Sequence, residues 1–188
     1  VGKLGSGSFT GTGPAFQSLS PGTALAQGPS PAKSLPLNPV PMYGNVAKTP
    51  ELKRADEKLF SDVLKTGVSR KKAAEKLANR GWEALKKEDP RTAIKRFNQS
   101  WLLDPNNGKA YWGFAIILDV RDKDTSGATE MFERARKLRP KDPRLLSDYG
   151  SFLENNGRQK KAIEVLRSAI SINEKTPSAY VGLVKSYL

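Results

Sequence analysis

Residues 74–107, AEKLANRGWEALKKEDPRTAIKRFNQSWLLDPNN, decide the fold, because their layout returns twice more along the chain. Ala93, Ala128 and Ala162 recur at a spacing of 34 or 35 residues. Four places after each stand Phe97, Phe132 and Leu166, and seven after stand Ser100, Ala135 and Ala169. Upstream, Leu77, Tyr111, Leu146 and Tyr180 form a second column, followed four places later by Gly81, Ala115, Gly150 and Val184. Such a period marks stacked helix pairs, each too small to bury its own apolar face. Two stripes at helical spacing flank a breaker in each unit: Glu88-Asp89-Pro90, Thr125-Ser126-Gly127 and Asn155-Asn156-Gly157. Small residues at Gly81, Ala93, Ala128, Gly150 and Ala162 mark close helix crossings, and the bulky residue four places on fills the gap.

This pattern resembles the tetratricopeptide repeat. Leu77, Gly81, Ala93, Phe97, Ser100 and Pro105 fill its slots in residues 74–107, Tyr111 through Pro140 fill them in 108–142, and Leu146 through Ala169 in 143–176. A fourth copy, 177–188, supplies a first helix only. The resemblance implies an all-α, right-handed helical solenoid of helix-turn-helix repeats. Arg80 stands where the family prefers Leu, and Glu174 where Pro is usual. Repeat two carries one extra residue between Leu118 and Ala128, which the polar stretch 121–126 places in a lengthened surface turn.

Ahead of the repeats, residues 1–48 hold eight Gly, seven Pro and six Ser without periodicity, and read as an extended or disordered arm. Its end, Leu35–Tyr43, suits an extended strip laid in a groove of this chain or of another. Thr49-Pro50-Glu51 then opens a capping helix over 49–67, with Leu52, Ala55, Leu59 and Val63 as its stripe, Phe60 and Leu64 beside it, and Gly67 as its stop.

Composition narrows the chemistry. The chain has no Cys and no His, which removes disulfides, thiolate nucleophiles and the commonest general base. No cofactor or metal is expected, and no run is long and apolar enough for a membrane span. The chain begins at Val1, so an upstream leader or lipid anchor stays open. Net charge is +13, and all but three of those positive charges belong to the repeats and the helix before them. The densest cluster is Lys65, Arg70, Lys71, Lys72 and Lys76, a candidate surface for nucleic acid or an acidic partner; interleaved acids favour a plain solvated face instead. Asp122 and Asp124 sit in a polar turn where solvation explains them better than catalysis does.

The family resemblance further implies a concave groove lined by the first helix of each pair. Carried over position by position, it names Trp82 and Lys86, then Lys109, Trp112, Ile116 and Asp119, then Ser147 and Ser151, with Arg144 beside them. Aromatics there would anchor a partner peptide or helix, the chain's own arm included. A local packing role for either Trp is the alternative. Ala78 and Trp82 occupy sites where chaperone-binding members place a Lys and Asn clamp, so an acidic tail is disfavoured as ligand. Tyr180, Leu183, Val184 and Tyr187 make an apolar end surface that something should cover. At a finer level PMYGN, RFNQSWLLDPNN and AYWGFA resemble small exported bacterial tetratricopeptide proteins, often envelope lipoproteins that assist secretion or envelope assembly.

The expected function is therefore a non-enzymatic protein-binding scaffold, with a basic nucleic-acid or acidic-surface binder as alternative. If the crossings are as tight as the small residues require, Ala162→Leu overpacks one and lowers urea stability by about 1–3 kcal/mol. An unchanged urea midpoint would contradict the crossing.

Overall fold

The computed structural model describes residues 39–187. Among these, eight α-helices follow one another and no strand is present. They are α1 (Pro50–Lys65), α2 (Arg70–Lys86), α3 (Pro90–Leu103), α4 (Gly108–Ile117), α5 (Thr125–Leu138), α6 (Pro143–Asn155), α7 (Gln159–Ile172) and α8 (Pro177–Lys185). No helix of the described residues is long and apolar enough to cross a membrane.

The boundaries follow local chemistry. Thr49, Ser69, Asp89, Asn107, Asp124 and Asp142 each accept a hydrogen bond from a backbone N–H of the first turn they precede. Pro opens α1, α3, α6 and α8, where its missing N–H is not needed. Gly67, at φ +66°, follows α1 in the left-handed region that glycine enters without strain.

Helices α2 and α3, α4 and α5, and α6 and α7 pack as successive hairpins, and α8 rests on α6 and α7. Close approach sets their spacing. The Phe97 ring is wedged between α2 and α4: a Cβ placed on Gly81 would lie 2.5 Å from it, and one on Gly113 2.3 Å. Leu166 is gripped the same way, with a Gly150 Cβ falling 2.4 Å away and a Gly182 Cβ 3.2 Å. The plugs of α3 and α7 therefore each lock their own first helix to the next one. Phe97, Phe114, Tyr111, Phe132, Tyr149 and Leu166 are fully buried in the resulting core.

The joint between α5 and α6 is built differently. Phe132 stacks on Tyr149 at 5.1 Å, yet α6 rests on α5 far less extensively than α4 on α3 or α8 on α7. A polar tie compensates: Glu133 of α5 accepts hydrogen bonds from Tyr149 of α6, Lys161 of α7 and its own Arg136.

Several expectations are corrected. The extra residue of repeat two does not lengthen a surface loop. It is absorbed in a π-helical turn, Leu118–Asp122, that prolongs α4, after which Lys123 turns left-handed at φ 56°. Thr125-Ser126-Gly127 is consequently no breaker but the first turn of α5. Asp124 caps α5 and Asp122 pairs with Arg121. On α1, Leu59, Phe60 and Val63 pack against Leu77 and its neighbours, whereas Ala55 and Leu64 face solvent. The stripe is narrower than its sequence pattern because α1 touches the repeats mainly through its second half.

The strip before α1 is extended at Val40 but turns sharply after Pro41, and residues 1–38 lie outside the described residues. Pro41–Asn45 forms a tight turn on α3 in which Met42, Tyr43, Gly44 and Asn45 all have positive φ. Left-handed backbone costs about 1–2 kcal/mol per non-glycine residue, so firm contacts must hold it. Tyr43 and Pro41 are buried, Asn98 donates to the Val40 carbonyl at 2.9 Å, and Arg121 donates to the Pro39 carbonyl at 2.7 Å. The π-helical turn thus supplies the arginine that clasps this segment.

The Glu133 tie gives a pH signature. Burial alone would raise its carboxyl, but hydrogen bonds from Lys161, Tyr149 and Arg136 outweigh that and bring it down to about 2. A depressed carboxyl stabilises the fold above its unfolded value, near 4.5, and loses that contribution as pH falls toward 2. Comparing urea midpoints of the protein and Glu133→Gln, we expect a constant gap above about pH 5.5 that closes on acidification. A gap independent of pH would show that Glu133 is not held as an anion.

Candidate functional site

A cavity of about 850 Å³ opens along the first helices, across the joint between repeats two and three. Helix α2 contributes Asn79, Trp82, Glu83 and Lys86, and α4 contributes Lys109 and Trp112. Across from them stand Arg139 and Asp142 of the α5–α6 turn, Arg144 and Asp148 of α6, and Ser178 of α8. Trp82 and Trp112 are neighbours, ring centroids 4.3 Å apart and planes tilted by 53°. Trp82 also meets Phe97 edge-on at 5.7 Å, which fixes the pair to the core. Trp112 is 9% exposed and its indole N–H donates to Asp148 Oδ2 at 3.1 Å. Trp82 is half-buried, and its own N–H has no hydrogen-bond partner.

Three of the seven charged residues that line the cavity are held in ion pairs. Lys109 bonds Glu75 at 2.5 Å and Asn79 at 2.9 Å, and Arg139 bonds Asp142 at 2.9 Å. Burial alone would raise the Glu75 carboxyl, but Lys109, with Asn107 and Arg139 adding to it, holds it low. Asp148 has no cation paired with it, and Lys86, Arg144 and Glu83 form no ion pair among the described residues. Burial pushes the Asp148 carboxyl up to about 6, the Asp142 charge adds to the rise, and the hydrogen bond from Trp112 opposes it.

Of the residues assigned to the groove from sequence, Trp82, Lys86, Lys109, Trp112 and Arg144 border this cavity. The others do not. Ile116 packs against the core and Asp119 lies in the π-helical turn. Ser147 is buried and hydrogen-bonded to Ser178 at 2.7 Å, while Ser151 sits beside Gly182. Trp112 combines both readings of the tryptophans: its ring is packed, yet its edge reaches the cavity.

Asp148 was the residue missed, and its signal was present. Five places after the repeat starts stand Asn79, Gly113, Asp148 and Gly182. Gly113 and Gly182 take the plugs Phe97 and Leu166, so an acid in that column cannot be serving the same packing. The turn 139–142 was missed because it belongs to neither stripe of a repeat.

The basic cluster does not converge. Arg70 lies over the Phe60 ring at 4.4 Å and reaches the Leu102 carbonyl. Lys71 and Lys72 border a second cavity with Glu75 and Asp104, Lys76 faces the cleft under α1, and Lys65 is exposed on α1. At the far end Leu183 packs inward, contrary to its place in the apolar end surface. Tyr180, Val184 and Tyr187 are 45%, 61% and 58% exposed, whereas Tyr111 and Leu146, in the column of Tyr180, are 0% and 3% exposed. Only the second helix of a pair supplies that cover.

The raised Asp148 carboxyl predicts a specific stability profile. A carboxyl that holds its proton more tightly folded than unfolded stabilises the fold as pH falls from above 6 to about 4. Asp148→Asn should therefore raise the neutral-pH unfolding midpoint, on the order of 2–3 kcal/mol at most, with the advantage vanishing near pH 4. Equal midpoints at both pH values would contradict the burial of this charge.

No family model matches the chain, and no curated protein matches it. Among solved structures, an O-GlcNAc transferase from Thermobaculum terrenum is similar at TM-score 0.57 and 18% identity, over 63% of this chain and 23% of that one. The OM64 TPR domain from Arabidopsis is similar at TM-score 0.55 and 19% identity, over 63% of this chain and 97% of that domain. This chain thus matches less than a quarter of the transferase's length but nearly the whole of a stand-alone repeat domain. Both likenesses and the hairpin stack lead to one conclusion: the chain has the tetratricopeptide-repeat fold.

Proposed function

We propose that this protein is a non-catalytic scaffold that holds another polypeptide in the cavity along α2, α4 and α6. The observation that carries the reading is the Trp82–Trp112 pair, which brings two large aromatic faces to the edge of a polar cavity. Rigid aromatics at the base of a groove are the usual anchors of peptide recognition. The charged rim of Lys86, Glu83 and Arg144 suits a polar, exchangeable interface rather than a permanent one.

The finer role we infer is assembly of a bacterial envelope or secretion complex, on the similarity of PMYGN, RFNQSWLLDPNN and AYWGFA to exported repeat proteins. The same residues have structural work to do: PMYGN forms the left-handed turn, and Tyr111 and Phe114 are core. Nucleic-acid binding is the weaker reading, since the basic cluster is spread over separate environments.

Affinity capture with the intact protein tests the groove, comparing it with Trp82→Ala/Trp112→Ala and with the rim variant Lys86→Glu/Arg144→Glu. We expect partner recovery to fall at least tenfold in both. Because Lys86 and Arg144 are exposed and form no ion pair among the described residues, the second variant separates lost binding from lost folding. Undiminished recovery with both variants would remove the cavity from the function.

A further inference from the structure

We propose that the Trp82–Trp112–Asp148 corner of the cavity is a pocket for a cationic side chain, a Lys or Arg presented by the bound polypeptide. The inference rests on the scaffold reading above and names the chemistry its partner must carry.

Three observations converge. First, Asp148 breaks a packing column: Gly113 and Gly182, at the equivalent places, receive plugs from the preceding hairpin, whereas Asp148 stands at the joint where α6 rests lightly on α5. Second, its carboxylate is used on one side only. Oδ2 accepts from Trp112, whereas Oδ1 makes no hydrogen bond within the described protein and Asp148 borders the cavity. An ionised carboxylate offers about four acceptor positions, and leaving them empty under partial burial is unfavourable. Third, Trp112 meets that carboxylate through its indole N–H, Trp82 packs on Trp112 and borders the same cavity, and the electron-rich face of Trp is the best aromatic partner for an ammonium or guanidinium.

The other charges leave this corner to a ligand. Facing Asp148 across the cavity are Glu83 and Lys86 on α2, Lys109 on α4, Arg139 and Asp142 in the turn, and Arg144 on α6. Lys109 is taken by Glu75 and Asn79, and Arg139 by Asp142. Lys86 and Arg144 make no pair with Asp148, and its carboxyl stays raised rather than lowered, as it would be beside a cation. A bound cation supplies what the protein does not. Lys86 and Arg144 are then positioned to meet acids flanking the basic residue, so an alternating charge pattern fits the site better than a polybasic run.

The probes are N-acetylarginine amide, N-acetyllysine amide, and N-acetylcitrulline amide as the neutral isostere, titrated at pH 7.5 while the indole N–H resonances are followed by NMR. We expect saturable shifts of the Trp112 signal with the arginine and lysine compounds and at least tenfold weaker binding of citrulline. Asp148→Asn should abolish the preference while keeping both indole signals dispersed, which reports that the fold persists. Binding should weaken as pH falls through about 6, where Asp148 takes a proton. Citrulline binding as well as arginine would overturn the cation pocket yet leave the groove reading intact. No shift with any probe up to tens of millimolar also overturns the pocket, and the capture experiment above then judges the groove by itself. An Asp148→Asn variant that keeps the preference would overturn the assignment to Asp148.

Discussion

The wedge that α3 and α7 each drive between two first helices is the constraint on which the rest of the structure depends. Phe97 reaches both Gly81 and Gly113, and Leu166 reaches Gly150, at distances no Cβ could share, while a Cβ on Gly182 would sit tightly against Leu166 at 3.2 Å. Close packing of this kind tolerates little change in volume, so the interval between neighbouring first helices is fixed by a side chain and two absences. Because the first helices line the cavity, the wedge also sets its width. The core and the candidate site are two consequences of one spacing rule.

The joint between repeats two and three is where that rule is relaxed. Asp148 stands where the adjoining repeats have Gly113 and Gly182, Phe132 stacks on Tyr149, and α6 rests lightly on α5. What the packing gives up, polar bonds partly restore: Glu133 with Tyr149 and Lys161 on one side, Trp112 with Asp148 on the other. These two acids sit in contrasting surroundings. Glu133 is supplied with three donors and drops to about 2, while Asp148 has one neutral donor and rises to about 6. A satisfied acid serves as structure, and an unsatisfied one in a cavity is where function is to be sought.

Outside the hairpins, the segment before α1 shows how a local departure is put to use. The extra residue of repeat two winds α4 into a π-helical turn, and Arg121, carried on that turn, holds the Pro39 carbonyl. Asn98, buried in α3, holds the next carbonyl along. The left-handed turn between them is unfavourable alone and persists because Tyr43 and Pro41 are buried beneath it.

Sequence alone determined the stack of helical hairpins, the close crossings at Gly81 and Gly150 and the Thr49 cap of α1, because these depend on a short-range period and on the character of single side chains. Ala93, Gly81 and Pro90 could be placed without knowing what lies across from them. Part of the site was legible through the family resemblance, whose groove positions name Trp82, Lys86, Lys109, Trp112 and Arg144. The fate of an inserted residue depends on whether a turn or a helix absorbs it, and that is decided by the neighbours of Leu118–Asp122. Likewise, Asp148 gains its meaning only from a tryptophan 36 residues away that reaches it across the joint. A periodic sequence specifies which faces meet; only the folded chain settles which polar groups are left without a partner once they have met.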